Sequence, residues 1–143
     1  MNLAIDIGLN MGWAYGNDMK LLDHGVVKLD KKWGYNAATR LFSILHNFKT
    51  KIGVDKVYCE KVGGGYYNSN IALMGMTGII QLVYKDLTSF APTSIKKYWV
   101  GTGRADKSDM LKITHMSYPE VMDHNESDAI AIWYYGREYD KNI

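Results

Sequence analysis

Residues 1–16 read MNLAIDIGLNMGWAYG. Leu3, Ala4, Ile5 and Ile7 surround a single carboxylate, Asp6. A short, nearly continuous apolar run is the pattern of a central strand buried on both faces. An unpaired carboxylate in such a strand is strongly disfavoured, so Asp6 needs a cation or hydrogen-bond donors beside it. Two readings are open on this stretch alone: Asp6 binds a metal, or it accepts hydrogen bonds at a strand end. Gly8, Gly12 and Gly16 then punctuate a turn and a second apolar run, Trp13-Ala14-Tyr15.

Working outward, residues 2–8, 11–17 and 20–29 read as three strands of an antiparallel meander, with Asn17-Asp18 supplying turn chemistry. Asp23 and His24 in the third strand are expected to face solvent. Ala37, Leu41, Ile44, Leu45, Phe48 and Ile52 recur at helical spacing, which predicts a helix over 34–52 stopped by Gly53, with His46 exposed. KVYCE, residues 56–60, reads as a strand ending in Glu60. A crossover through that helix makes it parallel to the first strand.

The loop KVGGGYYNS, residues 61–69, fits neither the P-loop nor the dinucleotide fingerprint. It reads as a loop beside an active site, carrying Tyr66 and Tyr67. A helix is predicted over 69–84 with Ser69 as its N-cap. Gly75 and Gly78 inside it imply close packing. A fifth strand over 87–91 is followed by a short helix over 93–99, started by Pro92 with Thr93 or Ser94. Helices over 106–117 and 123–136 complete the chain. The order βββαβαβα predicts an α/β fold: one domain, residues 1–143, with a mixed five-stranded sheet flanked by helices.

Composition narrows the function. The single cysteine, Cys59, excludes an internal disulfide and a cysteine-based zinc site. A formal net charge of +2 permits nucleic-acid binding without demanding it. No stretch resembles a signal peptide or a membrane span, so a cytoplasmic location is expected. Eleven Tyr and four Trp exceed what turns and surface need; most belong in the core, and some suit base stacking.

Three acids stand out by position. Asp6 lies in the first strand, Glu60 ends its parallel neighbour, and Asp128 sits in the first turn of the last helix. Together at one sheet edge they would repel, and could not all stay ionised without a cation. Mg²⁺, a hard ion that takes oxygen ligands, suits them. Each also has a plainer reading: Asp128 as a helix-start acid behind an Asn125 cap, Glu60 as a surface strand end.

Four segments carry a family resemblance: AIDIGLNMGWA at 4–14, CEKV at 59–62, TGRADKSDM at 102–110 and NESDAIAIW at 125–133. In this order the chain resembles the RuvC family of Holliday-junction resolvases within the RNase H-like superfamily, the small phage- or virus-encoded members most of all. The first segment also resembles the opening of actin-like ATPases and sugar kinases. Those need a duplicated second domain that 143 residues do not hold, so no nucleotide cofactor is expected.

The resemblance implies an RNase H-like fold and a Mg²⁺-dependent endonuclease. It would resolve four-way DNA junctions by paired symmetric incisions that leave 5′-phosphate ends. It implies two Mg²⁺ ions, with Mn²⁺ able to substitute, held by Asp6, Glu60 and Asp128. Where the family has a fourth Asp or His ligand, this chain has Asn125; His124 is the alternative. Lys107 would lie near the scissile phosphate. Lys61, Tyr66 and Tyr67 match the place where the family inserts a side chain at the junction. Lys96, Lys97, Arg104 and Lys112 would track phosphates. A homodimer is implied, with helix 69–84 as the candidate interface. Two alternatives stay open: a nuclease of the same fold acting on forks, flaps or hybrids, and a non-catalytic junction-binding protein.

Overall fold

The computed structural model describes residues 1–62 and 67–143, without the side chains of 67–70. Strands β1 (Asn2–Asp6), β2 (Asn10–Gly16) and β3 (Leu21–Lys28) form the expected antiparallel meander. Strand β4 (Lys56–Glu60) pairs with β1 in parallel, and β5 (Leu87–Phe90) pairs with β4 in parallel. The sheet order is β3-β2-β1-β4-β5, a mixed five-stranded sheet with β1 at its centre. That place explains why Leu3, Ala4 and Ile5 are fully buried.

Each face of the sheet is covered. Leu3, Ile5 and Val57 pack against α1 (Tyr35–Asn47) and α2 (Tyr67–Val83). Ala4, Ala14 and Tyr58 pack against α3 (Pro92–Val100), α4 (Lys107–Ser117) and α5 (His124–Lys141). Side chains alternate along a strand with a period of two. Asp6 stands two residues beyond Ala4, and Glu60 two beyond Tyr58. Both acids therefore sit on the α5 face, at the carboxyl ends of neighbouring parallel strands.

Several local expectations are corrected. The helix expected over 34–52 is divided: α1 ends at Asn47, and a single π-helical turn, Phe48–Ile52, carries the chain to Gly53. Gly53, at a φ of +83, takes the left-handed conformation that ends it. Helix α2 begins at Tyr67, which puts Ser69 inside the helix and not at its cap. Helix α3 begins with Pro92 at its first turn behind Ala91, and neither Thr93 nor Ser94 caps it. Asp123, not Asn125, caps α5: its carboxylate accepts the backbone N–H groups of Asn125 and Glu126.

Helix α5 also runs past Gly136 to Lys141. Gly136 lies against the face of the Tyr58 ring, where a Cβ would collide, so this glycine serves packing and not termination. Gly75 of α2 likewise accepts the Trp33 indole, while Gly78 has open space beside it among the described residues.

Gly12 positions α5. It pairs with Asp6 across the β1–β2 ladder, and a Cβ there would overlap the Asn125 carbonyl. The first turn of α5 thus rests on bare backbone directly opposite Asp6. Gly12→Ala should lower stability by about 1–3 kcal/mol, the cost of forcing an extra carbon into a packed contact. Gly34→Ala, at an extended residue with nothing within 4 Å of its Cβ position, should change little. Urea denaturation of the two variants, with equal slopes and separated midpoints, checks this.

Candidate functional site

Glu60, Lys96, Lys107 and Asp128 line one cavity of about 140 Å³, walled by Ile95, Met110 and Ile132. Asp6 joins them through its charge. Burial pushes the Asp6 carboxyl up to about 8; the Asp128 and Glu60 carboxylates push the same way, and Lys107 opposes them. Burial also raises Glu60, with Asp128 adding to the shift and Lys96 and Lys107 offsetting it. Asp128 is raised by burial too, against the pull of Lys107, His124 and Lys96. These shifts mark carboxylates taken from water and set within reach of one another.

The sequence elements that build this site are local and legible. Parallel pairing of β1 and β4 brings Asp6 and Glu60 to one edge. The Gly12 contact brings the start of α5 over the same edge; Asp128, expected in the first turn, is the fifth residue of a helix that begins at His124 and so opens the second turn. Lys107 opens α4 behind an Asp106–Asp109 capping box that fixes where the helix starts.

Lys96 is drawn further into the site than its expected role of tracking phosphates. It is half-buried on α3 and faces Glu60 and Asp128. Helical spacing carries the signal: Trp99 and Val100, three and four residues on, pack on the core beneath α5. Lys97, Arg104 and Lys112 are exposed, as is Lys61 at the end of β4. Among the described residues, none of these basic groups, nor Lys96 or Lys107, is in an ion pair within the chain. Tyr66 and the Tyr67 side chain lie outside the described residues.

Asn125 and Asp128 stand one turn apart on α5, so their side chains share a helix face. Asn125 is half-buried, whereas His124 is exposed. His24 corrects the expectation of a solvent-facing residue: its ring is tucked against the first turn of α5, hydrogen-bonded to Glu126. Asp23 is exposed as expected.

The donor set is oxygen-rich and anionic, which suits a hard divalent cation, and neutralising it would relieve the repulsion that adds to the effect of burial on Asp6. Among the described residues, no three His, Cys, Asp or Glu side chains form a ready cage for one ion. A cation held here would keep part of its water shell, as Mg²⁺ characteristically does. A second cavity of about 370 Å³, between the β2–β3 hairpin and α1, is lined by Trp13, Tyr15 and Phe48 with Asp23 as its single acid, so it is not where the acids gather.

Comparison with known proteins places this geometry. Thermus thermophilus RuvC in complex with a Holliday-junction substrate superposes with a TM-score of 0.72 over 95% of each chain, at 16% identity. The chain has the RuvC-like RNase H fold. This RuvC-like chain is also similar in sequence to the crossover junction endodeoxyribonuclease RuvC of Orientia tsutsugamushi (strain Ikeda). The two are 28% identical over 150 residues, covering 92% of this chain and 91% of the relative. The fowlpox virus Holliday junction resolvase superposes with a TM-score of 0.56 at 20% identity over 99% of each chain. No family model matches the chain.

Asp6 sets a pH dependence. Its ordinary value is 3.8 and its folded value about 8. Below the lower value both folded and unfolded chains hold the proton. Between the two, the unfolded chain releases it and the folded chain keeps it, so stability falls as pH rises. In chelator, Asp6→Asn should melt higher than the wild type at pH 8, and the gap should close towards pH 4. Thermal melts across that range check the sign.

Proposed function

We propose that this chain is a divalent-metal-dependent endonuclease that resolves four-way DNA junctions. The observation that carries the reading is the set of three coupled carboxylates facing two lysines, in a chain similar to RuvC over nearly its whole length. Asp6, Glu60 and Asp128 would hold Mg²⁺, with Asn125 lending an uncharged oxygen and His124 the alternative donor. When bound, the ions supply an activated water and charge stabilisation at the leaving oxygen.

The chain's own residues do the rest. Lys107 and Lys96 offer two ammonium groups to the scissile phosphate and stabilise the charge that grows on its oxygens. Lys61, Lys97, Arg104 and Lys112 hold the backbone of the arms and make binding salt-dependent. Hydrolysis would leave 5′-phosphate and 3′-hydroxyl ends. The described residues include no helix long and apolar enough to cross a membrane, and a cytoplasmic enzyme is part of this reading.

Two incisions need two sites, and a two-fold dimer matches a four-way junction. Helix α2 bears an exposed apolar stripe, Ile71, Met74 and Leu82, around the open flank of Gly78. Its spacing is that of one helix face. We assign that face to the dimer interface. Leu82→Glu should convert a wild-type dimer to a folded monomer in sedimentation experiments, without lowering the melting temperature of each subunit by more than a few degrees.

The direct test is cleavage of a labelled synthetic junction with Mg²⁺, with Mn²⁺ and with chelator, beside a linear duplex and a fork of the same sequence. Symmetric metal-dependent nicks in the junction alone are expected. Asp6→Asn, Glu60→Gln and Asp128→Asn should abolish them while binding persists. Lys107→Ala should slow the single-turnover step. Equal cutting of fork or duplex would leave a nuclease without junction specificity, and binding without cutting in either metal would leave a junction-binding protein.

A further inference from the structure

We propose that His24, on a strand that carries none of the three acids, is a positioning residue that fixes the metal-binding turn of α5. The inference rests on the nuclease reading above. His24 Nδ1 lies 2.6 Å from Glu126 Oε2, and each side chain is only 17% exposed. Nε2 of the same ring faces Glu120 Oε1 at 3.5 Å. Tyr118 packs edge-on against the ring, with centroids 5.3 Å apart, and so limits its rotation. The ring therefore ties β3 both to the turn after α4 and to the first turn of α5.

The position of Glu126 gives this clamp its consequence. Glu126 follows Asn125 and precedes Asp128 by two residues, in the turn whose backbone rests on Gly12. Gly12 supports that turn from below but, lacking a side chain, does not fix how it is rotated about the helix axis. Asp123 caps the turn from its own chain segment. Further along, Trp133 donates to the Asn2 carbonyl, and Lys56 and Tyr58 donate to Asp140. Among the described residues, the His24–Glu126 hydrogen bond is the side-chain hydrogen bond that ties the first turn itself to the sheet and opposes its rotation. A small rotation would swing Asn125 and Asp128 together, because both lie on one face. Outer groups that orient ligands in this way commonly change metal affinity about 10- to 100-fold when lost.

The chemistry of the clamp allows a discriminating test. An asparagine amide nitrogen stands about where imidazole Nδ1 stands from the main chain, and a glutamine amide nitrogen about where Nε2 stands. His24→Asn should therefore keep the bond to Glu126, and His24→Gln should lose it. Mn²⁺ binding to the DNA-free protein, followed by electron paramagnetic resonance of the free ion, is the first readout. His24→Gln and His24→Ala should weaken binding about tenfold or more, and His24→Asn should restore it. Junction binding in chelator should stay at the wild-type level in all three, and the cation needed for half-maximal cleavage should rise in parallel with the loss of Mn²⁺ affinity.

Wild-type Mn²⁺ affinity in His24→Gln and His24→Ala would overturn the inference. So would equal loss in all three variants accompanied by a common drop in melting temperature, which is the mark of a merely structural residue. A wild-type protein that neither binds Mn²⁺ nor cuts any junction would instead remove the nuclease reading itself, a result visible before any His24 variant is made.

Discussion

The contact between the first turn of α5 and the bare backbone of Gly12 is the constraint on which the site depends. Asp6 is paired with Gly12 across the ladder, so whatever rests on Gly12 is held opposite Asp6. The helix can come this close only because no side chain intervenes. Further along, α5 repeats the device. The Trp133 ring lies against Gly16, and Gly136 lies against the Tyr58 ring. The helix is thus seated on the sheet at its first turn, at its middle and one turn further on, by glycines on the strand below or on the helix itself. Seating fixed at three points turns the register of α5 into the position of Asp128.

The price of that arrangement is electrostatic. Asp6, Glu60 and Asp128 are each partly removed from water and lie within each other's fields, so the carboxyl groups hold protons longer than free acids do. A domain built for stability alone would replace them with apolar groups of like size. The lysines only partly compensate. Lys107 lowers all three acids and Lys96 lowers two, yet burial outweighs both. Carboxyl groups raised by burial and by one another in a cleft mark a candidate functional site.

Much of this was legible in the sequence, because the deciding signals are local. The apolar run around Asp6 gave the central strand, the 3.6-residue stripe from Ala37 gave the crossover helix, and the crossover made β4 parallel to β1. What escaped reading was long-range. His24 looked solvent-facing because strand alternation says which face a residue takes, not whether a helix lies there. The packing role of Gly136 was hidden because its partner, the Tyr58 ring, is far away in sequence. Asn125 looked like a cap because Asp123, two residues earlier, offers the same chemistry and geometry alone decides between them. Lys96 looked like one basic residue among several until α3 was packed against the core and turned it inward.

The uncharged Asn125 fits this electrostatic picture. Asp6 already bears the repulsion of Asp128, Glu60 and Asp123. The backbone of residue 125 rests on Gly12, directly across the ladder from Asp6. A fourth carboxylate at 125 would add its field at the point where repulsion is already largest, in a turn that also carries Glu126. An amide presents an oxygen to a hard cation without that added charge. If the acids hold a cation, Asn125 would contribute an oxygen without charge, while Lys96 and Lys107 already offset part of the charge on Glu60 and Asp128. The orientation of the turn then matters more than it would with a charged ligand, because a neutral donor has no long-range attraction to compensate for misplacement. Such a site depends on being held in place, which is what the contacts of Gly12 and His24 provide.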